Sequence, residues 1–315
     1  MIFAIETWDP AYGSSMQDPS LEPTSQIVDA TVELPGSQWR PLTPSDADPP
    51  SSIAFVDGVR RIDARVWINE PDGRSRPGVC ASVAAGAVHC RPGEAEVGEV
   101  VVERGLYTAS EHADSDISLA DLGGHYQLRP VGDDSDDALY LGVHRHMTEI
   151  EANLATGFSE AVAASGRQPE LVVFDGPLGR RNGAGVVGYI KTHHVSYLTT
   201  EHQLVVAGLG VGQRSPLFRV DSQWPTWSWY LRLPGPINHG LSGVVRLELP
   251  ALGDAETAAD RADQVSAVLP AFASEEHKES RAPQNLYPIA GLERQLRRRL
   301  GDARLLERAL RRRAA

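Results

Sequence analysis

Two short segments of this chain of 315 residues share one pattern, in which an apolar run ends on an aspartate followed by a glycine. The first is AFVDG at residues 54–58 and the second is VVFDG at residues 172–176. A strand core has no packing use for a carboxylate, because an unpaired buried charge is costly. Glycine lets the backbone turn away there. The pattern predicts two strand ends in one sheet, which bring Asp57 and Asp175 to the same edge.

An ordinary Asp–Gly turn is the better interpretation of either segment taken alone. The segments between and around them decide the fold class. β-branched runs with Gly, Pro and Asp turn signals fill residues 53–109 and predict four strands of an antiparallel or mixed sheet. A helix is expected over 144–165, and helical stretches over about 254–269 and 292–313 close the chain. We therefore predict an α/β protein with a mixed central sheet, flanking helices, and strand-rich and helical additions.

The domain organisation follows from composition. Residues 1–52 are rich in Pro, Ser and Asp and are expected to form an irregular N-terminal lead-in to one domain over 53–315. The acidic residues at about 110–138 are expected to be an insertion or loop. No apolar run reaches the roughly 18 residues of a membrane span, and the N-terminus lacks the pattern of a secretory signal. We expect a cytoplasmic protein without membrane contact, in which Cys80 and Cys90 are free thiols.

Charge is unevenly distributed along the chain. The whole chain has a net charge of −12, yet residues 294–315 hold nine arginines against Asp302 and Glu307. This tail has Leu at approximate helical spacing and is expected to form one Arg-rich helix over about 292–313. Its arginines suit either nucleic-acid phosphates or an acidic protein, and the sequence leaves both open. Arg297 and Arg298 are the candidates for DNA contact.

The helix expected between the two aspartates offers a third carboxylate. Its apolar face consists of Met147, Ile150, Leu154, Phe158 and Ala161. At 100° per residue, Glu151 lies roughly 60° from the centre of that face and Glu149 roughly 140° away. Glu151 is therefore expected to point inward. Carboxylates that share a site repel one another unless a cation or proton lies between them, and all-oxygen sites suit Mg²⁺ or Mn²⁺.

The order strand–Asp, three strands, helix–Glu and strand–Asp resembles the NurA nuclease family. The resemblance runs from about residue 50 to the end, through the segments FVDGVRR, EIEANLA, VVFDGPLG, VVGYIK and VVRLELP. It implies a ribonuclease-H-like fold and a metal-dependent DNA nuclease with exonuclease activity, single-strand endonuclease activity or both, acting in DNA end processing and repair. It also implies a homodimer that works with a hexameric HerA-type ATPase.

The resemblance also assigns roles to residues. Asp57, Glu151 and Asp175 match the family's metal ligands, which implies two bound Mn²⁺ ions, with Mg²⁺ as the alternative. Lys191 matches a position from which a cation contacts a phosphate, and Tyr197 is the candidate for the tyrosine beside the site. The expected DNA contacts are made by Arg60, Arg61, Lys191, Arg297 and Arg298.

One departure from the family pattern keeps a second function open. The family places a histidine after a Tyr–Pro pair, whereas no histidine follows Tyr287 and Pro288 here; Glu293 or His277 is the candidate for its place. The alternative is therefore a catalytically weakened DNA-binding or assembly subunit of the same fold.

The tryptophans raise a third alternative, a glycosidase that uses a carboxylate pair and an aromatic sugar platform. Trp224, Trp227 and Trp229 lie close together in the segment WPTWSWYLRLPGP. Aromatic rings also stack on nucleobases, so a single-strand platform fits the same residues. Core packing or a subunit interface is the favoured interpretation for the alternating pair Trp227 and Trp229.

Overall fold

The structure of the protein is a computed structural model, which describes residues 22–45, 49–119, 124–165, 171–183 and 185–314, with the backbone alone over 155–165. The chain forms two compact units. The first unit comprises Met1–Phe55, His89–Ala95 and Pro169–Ala290. The second unit comprises Val56–Val88, Glu96–Gln168 and Gly291–Ala315.

The described part of the chain contains both strands and helices. The strands are β1 (Glu22–Pro23), β2 (Ile27–Asp29), β3 (Ile53–Asn69), β4 (Ser75–Arg91), β5 (Glu94–Thr108), β6 (Asp116–Leu119), β7 (Gly124–Pro130), β8 (Leu171–Asp175), β9 (Val186–Ile190), β10 (Val195–Ser196), β11 (Phe218–Asp221), β12 (Thr226–Arg232) and β13 (Val244–Pro250). The α-helices are α1 (Asp136–Ser165), α2 (Thr200–Ala207), α3 (Ala255–Val268), α4 (Tyr287–Arg299) and α5 (Ala303–Ala314). Short 3-10 turns occupy Gly36–Gln38 and Leu269–Phe272.

The first unit contains the strand order β2-β11-β12-β13-β9-β8. Four of its neighbouring pairs are antiparallel, and β8 pairs with β9 in parallel. Every residue of β12 is buried, including Trp227 and Trp229, and the indole N–H of Trp229 donates to Ser266 of α3 at 2.9 Å. Core packing is thereby confirmed for these two tryptophans, and a stacking platform built on them is wrong. Trp224 is 47% exposed.

The second unit contains the strand order β3-β4-β5-β7-β6, with β5 and β7 parallel and β6 and β7 antiparallel. Helix α1 packs on this sheet through a stripe at helical spacing, namely Leu139, Val143, Met147, Ile150 and Leu154. The stripe contacts apolar side chains of β4 and Tyr107 of β5. The predicted buried face of the helix is confirmed where the structure describes it, and the Phe158 and Ala161 side chains lie outside the described residues.

Helix α1 begins eight residues earlier than the sequence pattern predicted, at Asp136 instead of 144. The hydroxyl of Ser135 accepts from the backbone N–H of Ala138 at 3.2 Å, and Asp136 and Asp137 occupy the first turn. Carboxylates are stabilised by the positive end of a helix dipole. The acidic run expected to be a loop therefore includes the start of α1, and the preceding residues hold β6 and β7.

The Arg-rich tail forms two helices instead of the one predicted, because Gly301 adopts a left-handed φ of 81° between α4 and α5. Arg61 and Arg104 donate to the carbonyl oxygens of Gly301 and Leu300 at 2.8 and 3.2 Å and so satisfy the end of α4. Helix α5 buries Leu306, Ala309 and Leu310 among residues of β4, β5, β6 and β7. Its arginines remain on the outside.

The predicted α/β class, with mixed sheets and flanking helices, is confirmed in both units. Cys80 and Cys90 are buried free thiols, as expected. Among the described helices, none is both long enough and apolar enough for a membrane span. The ribonuclease-H-like relationship stays a prediction.

Candidate active site

Asp57 lies inside a long strand. The pattern AFVDG predicted a strand that stops at Asp57, but β3 continues from Ile53 to Asn69. The predicted turn at Gly58 is therefore wrong, and a different constraint explains why this residue is a glycine. A Cβ at Gly58 would collide with Oε1 of Glu151 and lie 2.8 Å from Cγ of Met147, both on α1. The helix can approach β3 only because this position has no side chain.

Two buried carboxylates belong to the elements that pack together at Gly58, Asp57 on β3 and Glu151 on α1. Asp57 is 6% exposed, and its Oδ1 accepts the backbone N–H of Gly58 at 2.8 Å. Glu151 is 4% exposed, and its Oε1 occupies the space where a Cβ of Gly58 would lie. Glu149 is exposed and lines a cavity with Tyr107 and Arg145 on another side of α1. The helical carboxylate directed at β3 is therefore Glu151.

The donor chemistry of Asp57 and Glu151 fits a hard divalent cation. Oxygen ligands of this kind suit Mg²⁺ and Mn²⁺. Within the described ranges, no group of three or more His, Cys, Asp or Glu side chains is arranged to hold a metal ion. In the second unit, Asp57 and Glu151 are the two carboxylates that the sequence predicted as ligands.

Replacing Gly58 by alanine is expected to destabilise the protein by about 1–3 kcal/mol, because the new methyl group would displace Glu151 and Met147. The free energy of unfolding in urea measures this effect. Gly132→Ala is the matched control, since nothing lies within 4 Å of a Cβ at that position. Equal stabilities of the two variants would contradict the close approach of α1.

Asp175 follows the predicted strand–Asp–Gly pattern. Strand β8 ends at Asp175, and Gly176 has φ 115°, a conformation that favours glycine. The turn is fixed because Gly176 and Tyr189 exchange backbone hydrogen bonds of 2.8 and 3.1 Å. This places the carboxylate of Asp175 at the carboxyl end of β8, with 15% of its side chain exposed.

Lys191 is the cation beside Asp175. Its Nζ donates to Oδ2 of Asp175 at 2.6 Å and to Oδ1 of Asn285 at 3.0 Å. The lysine side chain is only 9% exposed. Lys191 and Lys278 are the only lysines in the sequence, which otherwise uses arginine for its positive charges. In the first unit, a compact cation therefore neutralises the carboxylate predicted to bind metal.

Sequence reasoning missed the groups that surround this ion pair. Tyr189 of β9 donates its hydroxyl to the carbonyl of Gln284 at 2.6 Å; burial, reinforced by the Asp175 carboxylate, raises the pKa of that hydroxyl well above its ordinary value. Asn285, beside Gln284, binds Lys191. No periodicity marks these contacts, because they join segments about 95 residues apart.

A second ion pair in β13 was also missed. Arg246 donates to Glu248 at 2.5 Å, and the other Glu248 oxygen accepts the backbone N–H of Leu178 at 2.9 Å. The guanidinium of Arg246 lies 4.3 Å from the ring centre of Tyr197, which is half-buried. The sequence offered one sign of this ion pair, namely two opposite charges at positions i and i+2 of the otherwise apolar segment VVRLELP. Tyr197 thus contacts Arg246 in the first unit.

The predicted DNA-binding arginines have unequal surroundings. Arg61 donates to Asp63 at 2.8 Å as well as to the end of α4, so its guanidinium is used inside the second unit. Arg60 is exposed and contacts the His144 ring at 3.1 Å. Arg297 and Arg298 are exposed on α4. Of the four arginines, Arg60, Arg297 and Arg298 have the exposure that a phosphate contact requires.

These features define an α/β protein with acidic side chains placed by strands β3 and β8 and by helix α1. The model of the NurA domain matches residues 51–297. The chain belongs to the NurA family. Among solved structures, the NurA nuclease from Sulfolobus solfataricus is similar over 83% of this chain and 84% of that chain, with 10% identity and a TM-score of 0.45. No curated protein matches the sequence.

Proposed function

We propose that this protein is a divalent-metal-dependent DNA nuclease that hydrolyses phosphodiester bonds during DNA end processing. The observation that carries the proposal is the burial of two acidic side chains of the family motif in the second unit, Asp57 on β3 and Glu151 on α1, where Gly58 leaves room for Glu151. Carboxylate oxygens are ligands that suit Mg²⁺ and Mn²⁺. Membership of the NurA family supports the choice of DNA as substrate.

The proposed ligands are Asp57, Glu151 and, from its position in the family motif, Asp175. Two Mn²⁺ ions are the proposed occupants, with Mg²⁺ as the alternative. When bound, the ions supply Lewis-acid stabilisation of an attacking water and of the leaving oxygen. The backbone N–H of Gly58 holds one oxygen of Asp57, which limits the directions in which that carboxylate can rotate.

Lys191 is the proposed phosphate contact. An ammonium group has three donors, of which Asp175 and Asn285 account for two. The third is available to a phosphate oxygen. The nearly buried position of Lys191 strengthens its electrostatic effect, because the local dielectric is lower than that of water. Tyr197 is proposed to act beside the site through its contact with Arg246.

The exposed arginines of α4 and α5 are the proposed surface for the DNA backbone. Replacing Arg297 and Arg298 by glutamine is expected to weaken oligonucleotide binding at low salt, and the slope of log K against log salt should fall by about 2. Fluorescence anisotropy over a salt series measures this slope. Arg40→Gln with Arg74→Gln is the matched control, because both residues are exposed on other segments. Equal slopes would favour an acidic protein partner.

The remaining parts of the proposal concern assembly. A homodimer that receives DNA from a hexameric HerA-type ATPase, in the cytoplasm, agrees with the family assignment. The sequence contains no Walker-type loop, so strand translocation requires a separate ATPase.

Cleavage is expected to require a divalent cation. A labelled oligonucleotide should be degraded in Mn²⁺, should survive in a chelator, and should be degraded again when Mn²⁺ is restored. Loss of the cation removes a contribution of several kcal/mol to transition-state stabilisation, so the rate should fall by at least about a thousandfold. Unchanged degradation in the chelator would overturn the proposal.

A second candidate is a catalytically weakened DNA-binding or assembly subunit. The observation that favours it is the Lys191–Asp175 contact of 2.6 Å, because a carboxylate that already has a cation has less need of a metal ion. Salt-dependent DNA binding with no cleavage in Mn²⁺, alone and with the partner ATPase, would support this candidate.

A further inference from the structure

Asn285 is held in a fixed place against β9. Its backbone N–H donates to the carbonyl of Arg281 at 2.9 Å, and the carbonyl of the preceding Gln284 accepts from the hydroxyl of Tyr189 at 2.6 Å. The Asn285 side chain is fully buried, and its Oδ1 accepts from Nζ of Lys191 at 3.0 Å. The segment before α4 therefore presents one amide oxygen to one lysine.

The orientation of that amide is set by Lys191. Rotating the amide by 180° would direct its NH₂ group at an ammonium, which has no acceptor. In the orientation observed, Nδ2 of Asn285 is buried without a hydrogen-bond partner in the described part of the chain. A buried donor without a partner costs free energy that a leucine of similar volume would avoid. Packing alone therefore does not account for an asparagine at this position.

We infer that Asn285 is a positioning residue for Lys191, an inference that rests on the proposed role of Lys191 in contacting a phosphate. A lysine side chain is flexible, and one acceptor leaves its ammonium free to pivot. Asp175 and Asn285 together are two acceptors on one Nζ, at 2.6 and 3.0 Å. They fix the direction of the third N–H. Asn285 acts through Lys191 and does not itself touch the substrate.

The first test needs no enzymatic activity. Brief acetylation of the full chain with an acetyl N-hydroxysuccinimide ester, followed by peptide mass spectrometry, compares Lys191 with Lys278, the exposed reference and the only other lysine. In Asn285→Leu, the ratio of acetylated Lys191 to acetylated Lys278 is expected to rise about tenfold, because one hydrogen bond to a charged group is lost. Asn285→Asp retains an oxygen at the same distance and should keep the wild-type ratio. An unchanged ratio in the leucine variant would overturn the inference.

The second test measures the rate of DNA cleavage in Mn²⁺. Asn285→Leu is expected to lower kcat by about 10- to 100-fold with little change in KM, as misplacement of a reacting group does. Asn285→Asp should restore most of kcat. The melting temperature of the leucine variant should change little, since the lost bond to Lys191 is offset by removal of the unpartnered buried donor. Equal loss of kcat in both variants, or a parallel loss of kcat and melting temperature, would overturn the positioning role.

Asn285→Ala also removes the oxygen and takes the place of the leucine variant if leucine does not fit. The two readouts also separate two kinds of failure. A wild-type protein that cleaves no DNA overturns the proposed function, whereas the acetylation ratio still decides whether Asn285 holds Lys191.

Discussion

The variant Asp57→Asn is expected to lose DNA cleavage in Mn²⁺ by about a thousandfold, because the amide keeps the size of the side chain but removes the charge that holds a cation. One amide oxygen can still accept the Gly58 N–H that now binds Asp57 at 2.8 Å. Loss of activity should therefore come without loss of folding. The measurement is the initial rate on a labelled oligonucleotide at saturating Mn²⁺.

The stability of the same variant provides its control. In a chelator, Asp57→Asn should unfold within a few degrees of the wild type, since the amide keeps the size of the side chain and an oxygen for the Gly58 N–H. A cleavage rate close to wild type would remove Asp57 from the proposed site. A large drop in melting temperature would instead indicate a structural role.

Glu151→Gln is expected to have a comparable effect on cleavage, whereas Glu149→Gln should cleave at nearly the wild-type rate. The two glutamates lie two residues apart on α1, but only Glu151 is buried against β3. The pair is a matched test, because each change removes one carboxylate charge from the same helix. Equal rates for the two variants, whether high or low, would contradict the assignment of Glu151.

The sequence predicted which strands carry the acidic residues, but it predicted the reason for the following glycine in only one of the two cases. The pattern at residues 54–58 correctly predicted that a strand carries Asp57, yet the glycine after it does not end the strand. Its cause is tertiary, because α1 packs where a side chain would be. At Asp175 and Gly176 the same pattern has the expected cause, a left-handed glycine after a strand. Local sequence cannot separate these two uses of Asp–Gly.

The helices show where local patterns suffice. Helical periodicity correctly predicted the buried stripe of α1 and the inward position of Glu151. It missed the first turns of α1, because a run of acidic residues resembles a solvated loop unless its capping serine is recognised. It also missed the break at Gly301, where a single left-handed residue separates two helices that share one apolar spacing.

The partners of Lys191 lie beyond sequence reasoning of this kind. Asn285 is separated from it by 94 residues, and its neighbours in the chain give no sign of a polar contact. The burial of the asparagine and of the lysine is explained only when the hydrogen bond between them is known. The same holds for Arg61, a predicted DNA contact, whose bonds to Asp63 and to the end of α4 no local pattern indicates.

Anomalous scattering from crystals soaked in Mn²⁺ tests the central claim most directly, because it locates the ions without assuming a substrate. The account predicts Mn²⁺ bound by oxygens of Asp57 and Glu151, with Asp175 completing the ligands, and loss of that signal in Asp57→Asn crystals. Manganese bound only at other residues, or no bound manganese beside Gly58 at saturating concentration, would contradict it.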